Sequence, residues 1–277
     1  MNDLSKVKIG FFGTPLFALR VLKQLKINFA NIKYVVTQRP KPSGRGQKTN
    51  LSAVNKWSDL NGIKVFNPNN TKDPEFIKTI LAIEVDFIVV VAYGHWICEE
   101  ILNYPKYMSL NVHASLLPLW RGAAPIQRSI INLDKETGIS IMKINEKLDE
   151  GPICNNYKIK IKDTDNFETI SEKLSILSAE KIIDNIDNID NEKIVFKEQN
   201  HKEATYAAKI KKIEGKINWN DSAENIKGKI NGLYPSPGAW FMHKGERYKI
   251  LKAQLTSTKG NPGLLLNDNF EIGCTEN

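Results

Sequence analysis

The stretch SLNVHASLLPLWRGAAPIQR, residues 109–128, is the most informative part of this sequence for its fold and its chemistry. Its first part is typical of a β-strand. Because side chains alternate along a strand, Asn111 and His113 share one face while Val112 points the other way. The strand breaks at residues 115–118. The amide and the imidazole therefore lie at a strand's carboxyl end, where open α/β sheets bind their ligands.

A carboxylate completes this polar set. Asp149 lies in KLDEG, 21 residues beyond Arg128. The amide of Asn111 and the imidazole of His113 can stabilise an oxyanion, and the carboxylate can orient the histidine or assist proton transfer. A lone histidine is usually a satisfied core residue, but these two companions favour catalysis. The three residue types are sufficient for acyl transfer to an amine.

The composition is that of a globular protein. The chain has 277 residues, 41% of them hydrophobic and 25% charged, enough for one large or two ordinary domains. The longest apolar run, residues 87–92, is strand-sized, and the first residues contain no hydrophobic signal region. We therefore expect no membrane span and no secretory leader. Three widely spaced cysteines indicate free thiols in a reducing cytoplasm.

The net charge of +8 is concentrated in two stretches. Residues 33–48 contain five basic residues and no acidic one, and residues 206–260 contain eleven basic residues against four acidic ones. A solvated surface is the simplest interpretation of such a charge. Two separate basic stretches also suit a polyanion such as RNA.

Strands and helices alternate along the first part of the chain, which predicts an α/β fold with a doubly wound, mostly parallel sheet. Thr14 and Thr164 are expected to cap helices, and residues 41–47 to form a loop. The expected strands are 7–12, 32–37, 65–66, 86–92, the strand carrying Asn111 and His113, 138–144 and 153–161. The expected helices are 16–25, 51–61, 73–81, 124–133 and the long helix after Thr164.

The second part of the chain has a different pattern. Residues 193–206 lack periodicity and are predicted to be a linker between a catalytic domain, 1–192, and a second domain, 207–277. A helix at 222–231 is followed by short alternating segments, which favour a small β-barrel. These segments are 239–242, 247–253, 263–266 and 270–274.

Two other kinds of site are not supported by the spacing of residues. Gly10-Phe-Phe-Gly13 follows the first strand but lacks the GxGxxG spacing, so we reject a dinucleotide site there. His95, His201 and His243 have no metal-ligand spacing with one another or with cysteines, so we expect no metal.

Several motifs together resemble the folate-dependent formyltransferases, and most closely the branch of that family that acts on tRNA. The likeness spans nearly the whole chain in register. The central block is the most specific part, whereas FGTP or VVVAYG alone would be weak. The motifs are FGTPLFA (12–18), QRPKPSGRGQK (38–48), VVVAYG (89–94), residues 111–127, LDEG (148–151) and YPSPGA (234–239).

The resemblance implies a reaction and a set of site residues. The reaction is formyl transfer from 10-formyltetrahydrofolate to the α-amino group of initiator methionyl-tRNA, with Asn111, His113 and Asp149 as the catalytic residues and without a metal. The folate is expected against Ser115, Leu116, Leu117, Pro118, Val91 and Tyr93. The tRNA acceptor is expected at Arg45, Lys41, Lys48, Phe12, Gly13 and Thr14.

The resemblance also implies that the second domain is OB-like and binds tRNA. Because relatives usually continue beyond the position of Asn277, we expect its barrel to be incomplete. The family further implies a monomer that acts in the cytoplasm in translation initiation. Two alternatives stay open: a formyltransferase for glycinamide ribonucleotide or an amino-sugar nucleotide, and a non-catalytic RNA-binding relative. The basic insertion at 38–48 argues against the first, and the intact trio argues against the second.

Overall fold

The computed structural model describes residues 4–28, 30–43 and 48–275. The strands are β1 Lys8–Gly13, β2 Asn31–Val36, β3 Lys41–Ser43, β4 Lys48–Asn50, β5 Val65–Phe66, β6 Phe87–Val91, β7 Met108–His113, β8 Arg121–Gly122, β9 Glu136–Lys143, β10 Ile153–Lys160, β11 Tyr206–Ala207, β12 Ala239–His243 and β13 Glu246–Ile250. The α-helices are α1 Leu16–Ile27, α2 Ala53–Leu60, α3 Pro74–Leu81, α4 Glu99–Asn103, α5 Pro125–Ile131, α6 Phe167–Asp190 and α7 Ala223–Leu233.

A seven-stranded sheet with the order β10-β9-β7-β6-β1-β2-β5 is the centre of the fold. β1 is parallel to β2 and β6, β2 to β5, and β6 to β7, whereas β9 runs antiparallel to β7. β6 is buried along its whole length, as its uninterrupted FIVVV sequence requires of a central parallel strand. The predicted doubly wound, mostly parallel sheet is confirmed.

The chain divides into two compact units. Unit 1 consists of Met1–Arg121, Gly138–Tyr157 and Glu172–Thr205, and unit 2 of Gly122–Thr137, Lys158–Ser171 and Tyr206–Asn277. In unit 1 the side chains of Phe12, Tyr34 and Ile88 form one core cluster with Ile80 of α3 and Ile101 of α4. The predicted linker, 193–206, thus lies within unit 1 up to Thr205.

Unit 2 packs a small core of its own. Ile217, Ile226, Ile230 and Ala239 are its buried members. β12 and β13 pair as an antiparallel hairpin, and the segments after residue 250 contribute the isolated bridge between Leu265 and Ile272. The incomplete OB-like barrel expected for this domain stays a prediction.

Several local predictions differ from the structure. Thr14 does not cap α1: the N-cap is Pro15, and the Thr14 hydroxyl instead donates to the Tyr93 carbonyl at 3.2 Å. Nor does Thr164 cap α6, because the Asn166 side chain accepts from the Thr169 amide at 3.1 Å. The expected loop 41–47 begins with a strand, since β3 pairs antiparallel with β4. The short helix α4 was not predicted.

Candidate active site

Asn111, His113 and Asp149 meet at the carboxyl end of β7. Asn111 and His113 lie on one face of that strand, and Asp149 lies in the loop between β9 and β10. The Oδ1 atom of Asp149 accepts from the Asn111 Nδ2 at 3.3 Å and lies 3.6 Å from the His113 Nδ1. The His113 side chain is 7% exposed and that of Asp149 10%. A carboxylate thus lies between an amide and an imidazole in a nearly dry setting.

The other ring nitrogen of His113 fixes the ring's orientation. Its Nε2 lies 2.9 Å from the carbonyl oxygen of Trp120, a residue in the left-handed region at φ 61°. A carbonyl oxygen and a carboxylate oxygen both accept hydrogen bonds and cannot donate them. Both ring nitrogens of His113 therefore face hydrogen-bond acceptors, which fixes the orientation of the ring.

A buried arginine supports the loop that carries Asp149. Arg121, 1% exposed, places Nη1 3.2 Å from the Glu150 carboxylate. Its Nε and Nη2 donate to the Gln199 Oε1 at 3.1 and 2.8 Å. The Gln199 amide in turn donates to the carbonyl oxygens of Asp149 and Gly151 at 2.9 and 2.7 Å. Arg121 thus meets the carboxylate of Glu150 directly and holds the backbone on both sides of that residue through Gln199.

The same loop depends on a glycine. A Cβ on Gly151 would collide with the carbonyl oxygen of Lys143, so only glycine lets the chain pass this close to β9. The amide of Lys143 donates to the Pro152 carbonyl at 2.9 Å and fixes the approach. Asp149 itself has φ 53°, a conformation that costs energy in a non-glycine residue and persists when its surroundings enforce it.

The turn at Ser115–Pro118 is expected to bind the folate, but several of its backbone polar groups are already hydrogen-bonded to side chains of the protein. The Ser140 hydroxyl donates to the Ser115 carbonyl at 2.7 Å and accepts from the Leu117 amide at 2.9 Å. The Asn156 side chain donates to the Leu117 carbonyl at 3.2 Å. Ser115 and Leu117 are buried, whereas Leu116 and Pro118 are half-buried. The turn thus offers a ligand mainly the apolar surface of Leu116 and Pro118.

The remaining predicted contacts lie at the ends of β1 and β6. The side chains of Phe12, Val91 and Tyr93 are buried, and Phe12 packs edge-on against Tyr93 with ring centroids 5.3 Å apart. A Cβ on Gly13 would lie 2.9 Å from the Val91 carbonyl oxygen, and the half-buried Thr14 is hydrogen-bonded to Tyr93. These side chains hold two strand ends together, so a ligand there would meet mainly backbone.

The predicted tRNA contacts are described only in part. Arg45 lies outside the described residues. Lys41 and Lys48 are described for their backbone alone, as the first residue of β3 and the first of β4. Ser43 pairs with Lys48 in an antiparallel register, so the last residue of β3 lies beside the first residue of β4.

Sequence reasoning missed Gln199 and Glu150. Gln199 lies in a stretch without periodicity that was predicted to be a linker, and no local signal distinguishes its amide. Glu150 follows Asp149, but its partner Arg121 is distant in the sequence. The contribution of Trp120 is a backbone carbonyl, which no residue type reveals. Only the three-dimensional structure brings these groups to the catalytic loop.

The described residues contain neither a cluster suited to a metal ion nor a helix suited to crossing a membrane. Within residues 4–28, 30–43 and 48–275, no group of three or more His, Cys, Asp or Glu side chains is placed to hold a metal ion. None of the helices in this part of the chain combines the length and apolar character needed to cross a membrane.

Comparisons with known proteins agree with the geometry. A family model described as formyl transferase matches residues 6–186, and the model of the formyl transferase C-terminal domain matches residues 209–277. The methionyl-tRNA formyltransferase of Pelagibacter ubique is 56% identical over 271 residues, which cover 96% of this chain and 86% of that protein. That of Thermodesulfovibrio yellowstonii is 45% identical and covers 95% of this chain and 85% of that protein.

A solved structure shares the fold at lower identity. The N-formyltransferase of Helicobacter canadensis, solved in complex with folinic acid and dTDP-3-aminofucose, has a TM-score of 0.73 and 19% identity over 97% of this chain and 96% of that chain. The family models and the two sequence relatives, which span nearly all of this chain, establish its membership. The chain belongs to the methionyl-tRNA formyltransferase family.

Proposed function

We propose that this protein transfers the formyl group of 10-formyltetrahydrofolate to the α-amino group of initiator methionyl-tRNA. One observation carries the proposal. Asn111, His113 and Asp149 converge at the end of β7 in a chain 56% identical to a protein named methionyl-tRNA formyltransferase. The product, formyl-methionyl-tRNA, serves translation initiation.

The chemistry is the exchange of one carbon–nitrogen bond for another. The neutral amine attacks the formyl carbon, and the oxygen of the tetrahedral intermediate becomes negative. The Nε2 side of the His113 ring is held by the Trp120 carbonyl, so the Nδ1–H of the protonated ring and the Asn111 amide donate to that oxygen, while Asp149 faces the incoming amine. The bond from carbon to N10 then breaks, and the proton lost by the amine reaches N10 with the help of Asp149. Each such contact is worth on the order of 3 kcal/mol, and the losses do not add.

The donor is proposed to lie against the half-buried Leu116 and Pro118. Flat heteroaromatic rings are typically held by apolar walls with a few polar groups. The chain just after β6 supplies further backbone for contact with the folate. Burial alternates there, since Val91 and Tyr93 are buried whereas Ala92 and Gly94 are exposed. In this proposal Val91 and Tyr93 act by shaping the strand end.

The acceptor is proposed to use the basic segment 33–48, with Arg45, Lys41 and Lys48 on the acceptor stem. Phe12, Gly13 and Thr14 would border the methionyl end. Unit 2 supports RNA binding with an exposed guanidinium: Arg247 lies 4.1 Å from the ring centroid of Trp240. Aromatic rings that alternate with cations suit bases and phosphates, and binding should weaken steeply with salt.

The cellular setting of this proposal is a monomer acting in the cytoplasm, where initiator tRNA is charged. Sedimentation velocity at micromolar concentration tests the first part. A single species near 31.4 kDa supports it, and a species of twice that mass contradicts it.

The direct test is a formyl-transfer assay with purified protein and 10-formyltetrahydrofolate. Initiator methionyl-tRNA is compared with free methionine, glycinamide ribonucleotide and an amino-sugar nucleotide. We expect rapid formylation of the tRNA and no more than background with the others. Formylation of a small acceptor alone would replace the proposed acceptor. Folate and tRNA binding without any transfer would identify a binding protein.

A further inference from the structure

We infer that Gln199, held by Arg121, is a positioning residue that sets the place of the Asp149 carboxylate. The inference rests on the proposed function, because it gives Asp149 its catalytic task. Gln199 contacts neither Asn111 nor His113 among its described hydrogen bonds, so it would act through the loop. Its role would be to keep Asp149 where both of those side chains reach it.

The hydrogen bonds of Gln199 are complete and allow one orientation of its amide. Its two N–H groups donate to the carbonyl oxygens of Asp149 and Gly151, and its oxygen accepts twice from Arg121. Arg121 can only donate and the two carbonyls can only accept, so a flipped amide would lose all four bonds. Gln199 is 5% exposed and Arg121 1%, so water cannot easily replace them.

This clamp acts at the strained point of the loop. It holds the carbonyl oxygens on either side of Glu150, next to Asp149 at φ 53°. Arg121 adds a third hold through the Glu150 carboxylate at 3.2 Å. The contacts of Asp149 to Asn111 and His113 are already 3.3 and 3.6 Å long. A further displacement of about 1 Å would break them, and misplacements of this size cost on the order of a hundredfold in rate.

The same chain segment also orients His113. Trp120, whose carbonyl meets the His113 ring, directly precedes Arg121. The Trp120 amide donates to the Thr205 hydroxyl at 2.9 Å, and the Arg121 amide to the Thr205 carbonyl at 2.9 Å. The stretch from Gln199 to Thr205, which was predicted to be a linker, therefore holds both Trp120 and Arg121. Trp120 orients His113, and Arg121 acts on the loop of Asp149 through Gln199 and Glu150.

The test replaces the amide of Gln199 without changing its shape. In Gln199→Glu the carboxylate still pairs with Arg121 but cannot donate to the two carbonyls. We expect kcat for formyl transfer to fall 10- to 100-fold while the KM for the folate donor stays within twofold. Gln24→Glu, on α1, is the matched control and should leave both constants unchanged. A kcat within twofold of wild type in Gln199→Glu would overturn the inference.

A double-mutant comparison separates positioning of Asp149 from a general structural role. If Gln199 acts through Asp149, Gln199→Glu should change kcat less than threefold in an Asp149→Asn background. Effects that multiply in full would overturn the inference. If Gln199→Glu does not fold, Gln199→Asn, which keeps the amide but is one methylene shorter, should show at least a fivefold loss of kcat. Wild-type kcat in that variant would count against the clamp.

A second readout does not depend on any acceptor. Hydrogen exchange of a peptide covering residues 148–152 should be at least tenfold faster in Gln199→Glu than in wild type, with β7 unchanged. Unchanged exchange in that peptide would overturn the inference even if the wild-type enzyme proved inactive on methionyl-tRNA. Such inactivity would refute the proposed function alone.

Discussion

Replacing Arg121 with methionine should destabilise unit 1 far more than an ordinary arginine substitution. The guanidinium is 1% exposed, pairs with Glu150 at 3.2 Å and donates twice to Gln199. Methionine preserves most of the stem but removes the donors that Arg121 supplies to the carboxylate and to the amide oxygen, and leaves Glu150 with His201 at 3.6 Å. Breaking a buried ion pair costs about 3–5 kcal/mol. Because the Glu150 side chain is 21% exposed and water relieves part of the loss, we expect about 3 kcal/mol.

Hydrogen exchange in urea measures this loss within unit 1. The reporter is the β6 peptide, residues 87–91, which lies in the middle of the sheet. With a urea slope of about 3 kcal/mol per molar, its protection midpoint should fall by about 1 M.

Arg20→Met is the matched control for this loss of stability. Arg20 pairs with Glu172, whose side chain is 58% exposed, and such surface pairs contribute about 0–1 kcal/mol. If Arg121→Met lies within 1 kcal/mol of Arg20→Met, the buried network does not hold the fold as argued.

Three further substitutions test the loop and the strand ends. Asp149→Asn keeps the shape but removes the charge, so kcat should fall about 100- to 1,000-fold in a quenched-flow assay. A wild-type kcat would contradict its role. Gly151→Ala adds a Cβ that collides with the Lys143 carbonyl. The loop must shift, and we expect at least a tenfold loss of kcat in a folded variant, whereas an unchanged kcat would disprove the close approach. Tyr93→Phe removes a buried hydroxyl that has no hydrogen-bond partner among the described residues, so urea denaturation should show a gain of about 1 kcal/mol. Burial raises the pKa of Tyr93 to about 12 from its ordinary 10.0. Because the unfolded chain loses the Tyr93 proton before the folded chain does, wild type loses stability as the pH rises from the ordinary pKa toward the raised one. The decline between pH 8 and 11 should therefore be smaller in Tyr93→Phe, and equal declines would contradict this cause.

Asn111 and His113 could be brought together from the sequence because their placement follows from local rules. Alternation along a strand puts Asn111 and His113 on one face, and the break after His113 puts both at a strand end. Asp149 lies in a loop whose distance from them in space no local rule gives. The resemblance supplied that third residue, and the structure places it 3.3 Å from Asn111.

The supporting residues could not be predicted, because their role depends on contacts between distant parts of the chain. Gln199 is 78 residues from Arg121 in the sequence, and nothing in its neighbourhood has a period. The helix caps failed for a related reason. Thr14 is a good cap by residue type, but its hydroxyl is bonded to the Tyr93 carbonyl of a neighbouring strand end. A tertiary partner overrode local propensity at Thr14, whereas at α6 a nearby residue, Asn166, accepts from the Thr169 amide in place of Thr164.

In the second domain, short alternating segments predict some strands but not others. Segments 239–242 and 247–253 correspond to the hairpin of β12 and β13, where a Lys-Gly turn helps to fix the pairing. The later segments contain few buried side chains, and they pair through the isolated bridge between Leu265 and Ile272 and a few backbone hydrogen bonds around it. Alternation without burial does not specify a strand partner.

We propose that Asn111, His113 and Asp149 together carry the transfer of a formyl group to methionyl-tRNA. The most direct measurement is a single-turnover assay in which wild type and Asp149→Asn are each mixed with 10-formyltetrahydrofolate and charged initiator tRNA, and formyl-methionine is quantified after release from the tRNA. We expect rapid product formation by wild type and a rate at least 100-fold lower in Asp149→Asn, with folate binding preserved. No product from a wild-type protein that binds both substrates, or equal rates in the two proteins, would contradict it.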